Sequence, residues 1–169
     1  MKRRFKQARR IAFDFGGVLV ARHTSRDDLI WDSDNYQDLP HVRKAIYLVT
    51  LAVKHYGRKN VYIVSKAREP KKVLSWLRDK SFLKKTGMRS SNVRLHKTRK
   101  GKVHSYVRHG IDTVVEDRLE NLRDAIGVGV PHLYYFGRGR DADDPKYADV
   151  LKHVRRVQDM AELEKELFG

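Results

Sequence analysis

The 169-residue sequence contains no cysteine. This absence excludes a disulfide-stabilised scaffold, zinc sites built from thiolates and catalysis by a cysteine nucleophile. Long hydrophobic runs are missing too, since no apolar stretch approaches the ~18 residues that a membrane-spanning helix needs. The basic N-terminus leads directly into an apolar strand and not into a signal peptide with a cleavage site. We therefore expect a cytoplasmic protein with no membrane partner.

Carboxylates are absent from two segments of a chain that is basic overall. The sequence has 37 Lys and Arg against 21 Asp and Glu, a net charge of +16, and residues 1–10 and 82–111 contain no acid. Basic surfaces of this kind attract polyanions through counterion release. RNA or DNA is therefore a candidate partner, and a solvated surface that serves only solubility is the alternative. The candidate contacts in the second segment are Lys84, Lys85, Arg89, Arg94, Lys97, Arg99 and Lys100.

Short apolar runs alternate with segments of helical periodicity along the whole chain. The runs predict six strands, at residues 11–15, 61–64, 93–95, 113–115, 132–136 and 154–157. Strands that are apolar throughout are typical of a parallel sheet with helices on both faces. The sequence therefore predicts a Rossmann-like α/β three-layer sandwich with a mainly parallel sheet. We expect residues 11–169 to form this single domain behind a basic arm of residues 1–10.

Helix boundaries follow from capping and helix-breaking residues. Asp38-Leu-Pro predicts a helix start, and apolar residues then recur at helical spacing until Gly57. Pro70 predicts the first turn of the next helix. The inward face of that helix is predicted to consist of Val73, Leu74 and Leu77. Later helices are predicted at residues 100–109, at 119–127, and from the cap Asp159 to the C-terminus.

Polar side chains stand where three of the predicted strands end. Asp14 ends the first strand, Ser65 follows the second, and Glu116 and Asp117 follow the fourth. These ends meet at one edge of a parallel sheet, which is where such sheets bind ligands. Lys102, in the helix before the fourth strand, would add a cation. Carboxylate oxygens suit Mg²⁺, whereas a hydroxyl and a cation suit a phosphoryl group, so the pattern predicts a phosphate-and-magnesium site.

Taken in order, these residues resemble the four motifs of the haloacid dehalogenase-like (HAD) superfamily, in particular its small phosphatases. The similarity begins with Asp14-Phe-Gly-Gly-Val and covers roughly residues 11–136. It implies that Asp14 is the nucleophile that forms an aspartyl-phosphate, and that Ser65 and Lys102 bind the phosphoryl group. Lys102 would also act in catalysis, because it holds Asp14 and the phosphate in register and offsets their charge. The resemblance also implies Mg²⁺ as the cofactor, with the ligands Asp14, the Gly16 carbonyl, Glu116 and Asp117.

One position departs from the family's pattern. The family's general acid is an aspartate two residues after the nucleophile, and here that position is Gly16. The short intervals between the motifs leave no room for a separate cap domain, so the resemblance implies an open site for a large phosphorylated substrate. With the basic surface, this favours nucleic-acid ends or a protein phosphate over a small sugar phosphate. His23, Asp27 and Asp28 fall in a segment expected to cover this site.

Several alternatives remain open at this stage. The chain could be a catalytically weak or inactive HAD-fold module that binds RNA or a ribonucleoprotein through its basic surface. It could also be a phosphotransferase, because the same residues would serve that reaction. Ser65 could simply cap a helix at residues 66–78. Lys100 is the nearest rival of Lys102 for the role of the site lysine.

Overall fold

A six-stranded sheet, all of whose pairings are parallel, forms the centre of the protein. The computed structural model describes residues 9–21, 35–137 and 141–169. The spatial order of the strands is β3-β2-β1-β4-β5-β6. They are β1 (Ile11–Phe13), β2 (Val61–Lys66), β3 (Val93–His96), β4 (Thr113–Glu116), β5 (His132–Phe136) and β6 (Arg155–Val157). The order reverses between β1 and β4, which makes this the topological switch point at which α/β sheets bind ligands.

Helices cover both faces of the sheet and complete the three layers. The described residues contain α1 (Ala45–Tyr56), α2 (Pro70–Asp79), α3 (Phe82–Thr86), α4 (Arg99–Arg108), α5 (Leu119–Gly127), α6 (Ala148–Leu151) and α7 (Met160–Phe168). Helices α1, α2, α3 and α7 share one hydrophobic core with the sheet, and α4, α5 and α6 share the other. The predicted Rossmann-like three-layer sandwich is confirmed.

The predicted start of the first long helix is wrong. Asp38 ends a short 3₁₀ helix, and α1 begins only at Ala45. The intervening backbone is bonded to the loop after β1: the amide of Val42 donates to the carbonyl of Leu19 at 2.8 Å. Lys44, immediately before α1, has a left-handed φ of 63°. The Val42 amide is already bonded outside the helix, and a residue with a left-handed φ does not continue a right-handed helix. The helix therefore cannot extend back to Asp38.

The second predicted helix begins later than expected, and it buries a different face from the one predicted. Ser65 lies inside β2 and α2 starts at Pro70, so Ser65 does not cap a helix at residues 66–78. Leu74 is 49% exposed and not inward-facing, because Trp76 occupies the buried face with its indole nitrogen donating to the carbonyl of Leu39 at 2.9 Å. Val73 and Leu77 are buried as predicted.

Several predicted features fall on residues outside the described ranges. These are most of the basic arm, residues 1–8, together with His23, Asp27 and Asp28. Arg10, at the end of the arm, is tied to the domain: its carbonyl accepts from the amide of Thr113 at 3.2 Å, and its guanidinium donates to the carbonyl of His109 at 2.9 Å. None of the helices in the described ranges is long and apolar enough to cross a membrane.

Candidate active site

Three neighbouring strands bring the predicted site residues to one edge of the sheet. Strand β1 lies between β2 and β4, with Phe13 in register with Ile63 and Val115. Asp14 is the next residue, and its amide donates to the carbonyl of Val115 at 3.0 Å. Ser65 and Glu116 lie at the corresponding ends of β2 and β4. Because hydrogen-bonded strands are only ~4.8 Å apart, these side chains come within bonding distance of one another.

A chain of buried hydrogen bonds links four of these residues. The Ser65 hydroxyl donates to Oδ1 of Asp14 at 2.8 Å, and Nζ of Lys102 donates to the same oxygen at 2.9 Å. The same ammonium also donates to Oε2 of Glu116. The side chains of Lys102, Asp14 and Glu116 are 3%, 8% and 0% exposed, respectively. A buried cation thus bridges two buried carboxylates, and Lys102 is placed there instead of Lys100, which is exposed.

The charges of this cluster control one another's protonation. Burial opposes ionisation of Asp14, but the charge and hydrogen bond of Lys102 and the hydroxyl of Ser65 outweigh it and lower the Asp14 pKa. Burial also opposes protonation of Lys102, but the two carboxylates raise its pKa well above the usual value. The pKa of Glu116 is raised well above its usual range by burial and by the nearby charge of Asp14. Lys102 and Ser65 therefore favour the ionised form of Asp14, whereas burial opposes the ionisation of Glu116.

Glu116 also shapes the turn that carries Asp117. Its Oε1 accepts from the amides of Asp117 at 3.0 Å and of Arg118 at 3.3 Å. The next amide, that of Leu119, donates to Oδ2 of Asp141 at 3.1 Å, so a loop residue after β5 caps the start of α5. These bonds fix the turn between β4 and α5 and hold Asp117 beside Asp14.

The acidic residues fit a divalent metal ion. Asp14, Glu116 and Asp117 each offer a carboxylate oxygen, and these oxygens all lie within 4.8 Å of one another. Hard oxygen ligands of this kind are those that Mg²⁺ prefers. Both oxygens of Glu116 already accept hydrogen bonds, one from Lys102 and one from backbone amides. Asp14 and Asp117 are therefore better suited to direct coordination than Glu116.

The first motif is completed by a glycine turn. Gly17 has a left-handed φ of 78°, and its amide donates to the carbonyl of Val20 at 2.8 Å. The carbonyl of Phe15 accepts from the amide of Leu19 at 2.9 Å, which closes the turn. Gly16 has no such φ, so its backbone conformation is open to other residues.

A polar cavity of about 170 Å³ opens over Asp14. This volume far exceeds the ~10–15 Å³ that one water needs. Asn121 in its wall is 8% exposed, and among the described residues its Oδ1 has no hydrogen-bond partner. The lining residues are Asp14, Lys66, Arg68, Arg99, Lys102, Arg118, Glu120 and Asn121. The cavity therefore places a ring of five cations, the carboxylate of Glu120 and an available amide around the buried carboxylate of Asp14.

The basic residues that were predicted as nucleic-acid contacts lie in several separate places in the structure. Lys97, Arg99 and Lys100 lie at the start of α4, beside the site. The others lie elsewhere: Lys84 and Lys85 are on α3, on the sheet face that α1 and α2 also cover, Arg89 precedes β3, and Arg94 is on the edge strand β3. The acid-free segment is thus not one continuous surface.

Sequence reasoning missed the cations of the cavity wall and the role of Asn121. Lys66 ends β2, Arg68 follows two residues later, and Arg118 stands two residues after β4. The rule that located Asp14 and Ser65 at strand ends would have found these cations had it been applied to basic residues as well. Asn121 is one turn after Asp117, but only the structure shows that its amide faces the cavity.

Comparison with known proteins supports the fold and adds no closer relationship. A solved structure described as a crystal structure analysis of a dehalogenase matches with a TM-score of 0.65 and 13% sequence identity, covering 97% of this chain and 99% of that one. No protein-family model and no curated protein sequence matches the chain. At this identity the likeness shows a shared fold, which agrees with the fold that the HAD-like motifs implied.

Proposed function

We propose that the protein is a Mg²⁺-dependent phosphohydrolase that acts through an aspartyl-phosphate on a large or exposed phosphorylated substrate. The observation that carries this proposal is the buried Ser65–Asp14–Lys102 arrangement beneath the cavity, in which one carboxylate is kept ionised next to a hydroxyl and an ammonium. A purely structural ion pair would not need to open into a polar cavity.

Asp14 is assigned the role of nucleophile. The hydrogen bonds from Ser65 and Lys102 both fall on Oδ1, and we assign Oδ2 to the attack. In the first step Oδ2 forms a bond to phosphorus while the bond to the leaving-group oxygen breaks and its electron pair departs with that group. In the second step a water oxygen bonds to phosphorus while the bond from phosphorus to Oδ2 breaks, so that inorganic phosphate leaves with the protons of the water and the carboxylate is regenerated. Ser65 and Lys102 are placed to hold the phosphoryl oxygens in both steps.

Asp14 and Asp117 would hold Mg²⁺, with the Gly16 carbonyl as the further ligand that the resemblance implies. The bound cation supplies charge neutralisation, which lets an anionic carboxylate approach an anionic phosphate. Displacement of halide from a haloacid places less negative charge in the site, so the three clustered carboxylates and the ring of cations favour a phosphate ester. Glu116 acts by positioning Lys102 and the Asp117 turn.

The carboxylate of Glu120 in the cavity wall is paired with Arg99 at 3.0 Å, and Gly16 leaves the leaving group without the acid donor of the family's pattern. The cations of the cavity wall, such as Arg118, do not replace it, because a guanidinium does not give up its proton near neutral pH. They can instead stabilise the negative charge that develops on the leaving oxygen. Good leaving groups therefore suit this site, and esters of alcohols should react slowly.

Hydrolysis of aryl and alkyl phosphates with Mg²⁺ tests the proposal. Aryl phosphates such as 4-nitrophenyl phosphate should be cleaved faster than alkyl phosphates, because an aryl oxide departs without protonation. Asp14→Asn should abolish turnover, while the exposed Asp38→Asn should retain it. Gly16→Asp should accelerate alkyl phosphates by up to ~10²-fold, the lower range for a positioned acid. Unchanged turnover in Asp14→Asn would refute the nucleophile and with it the proposed function.

Gly16 also favours a second candidate, a module with this fold that binds RNA or a ribonucleoprotein without hydrolysing it. The two candidates differ in one measurement. If the purified protein cleaves none of aryl phosphates, phosphopeptides and phosphorylated nucleic-acid ends, yet binds RNA with strong salt dependence, the binding module is the better description. Retention of Asp14, Ser65 and Lys102 in hydrogen-bonded contact favours the enzyme.

A further inference from the structure

A second, larger groove adjoins the cavity over Asp14. Its volume is about 740 Å³, and it shares two lining residues, Lys66 and Arg99, with that cavity. The groove runs between the beginning of α4 and the end of α5. Its other lining residues are Lys97, Thr98, Lys100, Val103, Arg123, Asp124, Gly127 and Val128. A ligand that enters the cavity can therefore continue into the groove without leaving the protein surface.

The groove is strongly positive. It is lined by five cationic side chains and by the single carboxylate of Asp124. That carboxylate is neutralised by Arg99, which donates to its two oxygens at 2.9 and 3.1 Å. Lys66, Lys97 and Lys100 form no ion pair within the described part of the chain. Their charges are therefore available to an anionic ligand.

Between the cations the groove has a small apolar floor. Val128 is 40% exposed at the end of α5, and Val103 contributes from α4. Gly127 next to Val128 has no atom within 4 Å of where a side chain would begin, so the floor is open above it. The groove thus offers cations for phosphates and an apolar floor for bases, the two kinds of group that a nucleic-acid strand presents.

We propose that this groove binds the nucleotides adjoining the terminal phosphate of a single-stranded nucleic acid, while that phosphate lies against Asp14. The inference rests on the proposed function and specifies its substrate class. A phosphopeptide would bring one phosphate to the cavity and leave the further lysines without counter-charges. A strand brings a negative charge with every nucleotide. The contacts are to phosphates and to an apolar floor, so we expect little base-sequence preference.

Binding of an uncleavable complex tests the groove separately from catalysis. All proteins carry Asp14→Asn, and fluorescence anisotropy reports binding of a labelled ten-nucleotide strand with a terminal phosphate, as DNA and as RNA, over a series of salt concentrations. Lys97→Gln with Lys100→Gln should lower the salt slope by ~1.4, since each lost phosphate contact on a single strand removes ~0.7. At ~0.1 M salt this corresponds to about 25-fold weaker binding.

Two matched controls separate a local contact from a general charge effect. Lys54→Gln with Lys59→Gln removes the same charge from the end of α1 and the loop before β2, at the opposite edge of the sheet, and should change affinity little. Val128→Glu places a carboxylate on the groove floor and should weaken binding, whereas Val107→Glu changes an exposed valine of α4 that does not line the groove.

The outcomes are distinct. If the two lysine pairs lose the same amount of affinity, or if the two valine variants do, the groove proposal is refuted and a diffuse basic surface explains the binding. Competition by a short phosphoserine peptide as effective as that by the strand would also overturn it, in favour of a phosphoprotein substrate. A difference between DNA and RNA would identify the natural strand. Failure of aryl phosphate hydrolysis in the protein that retains Asp14 would refute the proposed function without bearing on strand binding.

Discussion

Replacement of Lys102 by methionine tests whether the buried cation holds the two carboxylates in place. Methionine retains much of the length and apolar stem of lysine but removes the ammonium between Asp14 and Glu116. All three side chains are at least nine-tenths buried, so the two carboxylates would remain in a largely buried position without their cation. Removal of one partner from a buried ion pair typically costs ~3–5 kcal/mol, and we expect a loss of unfolding free energy in this range.

Urea denaturation at pH 7 measures this loss. With a slope of ~2 kcal/mol per molar urea, the expected loss moves the midpoint down by ~1.5–2.5 M. Lys100→Met is the control, because Lys100 is exposed two residues earlier on the same helix and a change there should stay within ~0.5 kcal/mol. The same midpoint in the two variants would refute the role assigned to Lys102.

Two further measurements of unfolding free energy, each with an expected sign, strengthen the test. Adding Glu116→Gln to Lys102→Met removes one stranded carboxylate, so the double variant should be more stable than Lys102→Met alone. In Lys102→Met, Asp14 loses the charge that lowers its pKa, and burial then raises that pKa above the unfolded value. Folding therefore takes up protons, and the deficit relative to the unsubstituted protein should shrink as pH falls from 7 towards 4.5. A deficit that grows over this range would contradict the electrostatic explanation.

Two other predictions concern the backbone of α4 and the metal. Gly101→Ala should destabilise the protein by ~1 kcal/mol or more despite the better helix propensity of alanine, because a Cβ there would lie 3.0–3.1 Å from His96. Gly127→Ala should instead stabilise the protein by ~0.5 kcal/mol, because no atom lies within 4 Å of the added Cβ. Thermal unfolding of the two variants measures the difference. Calorimetric titration should show that the protein binds Mg²⁺ and that Asp117→Ala weakens this binding at least ~10-fold. Asp38→Ala, at an exposed residue, should leave the affinity unchanged. Equal affinities in these two variants would count against the metal site.

Most of the fold could be predicted because its signals are local. The strand β5 was predicted to the residue, and α7 begins at the predicted cap, where Asp159 accepts from the amide of Glu162 at 2.9 Å. The errors arise where distant segments compete for the same groups. The start of α1 is decided by the loop after β1, and the exposure of Leu74 by the position of Trp76. Neither contact leaves a periodic pattern in the sequence.

The candidate site could be predicted only for those of its residues that stand at strand ends. Asp14, Ser65 and Glu116 follow or end strands, so their convergence needs only the sheet to be parallel. The dual bonding of Lys102 and the engagement of both Glu116 oxygens depend on where α4 packs, which no local pattern records. The same applies to Asn121, whose sequence context fits helix packing as well as it fits a cavity wall.

The sheet order explains why one lysine can serve two strands. Strand β1 is flanked by β2 and β4, so Asp14 has Ser65 on one side and Glu116 on the other. Helix α4 belongs to the connection from β3 to β4, and it packs on β2 and β3 beside α5. A long side chain at the first turn of that helix reaches both Asp14 and Glu116 from the same position. Arg99 and Lys100, which precede Lys102 in the same turn, line the groove beside the buried cluster. The buried charge cluster and the basic groove are thus two consequences of a single crossover, and a change in the position of α4 should disturb both together.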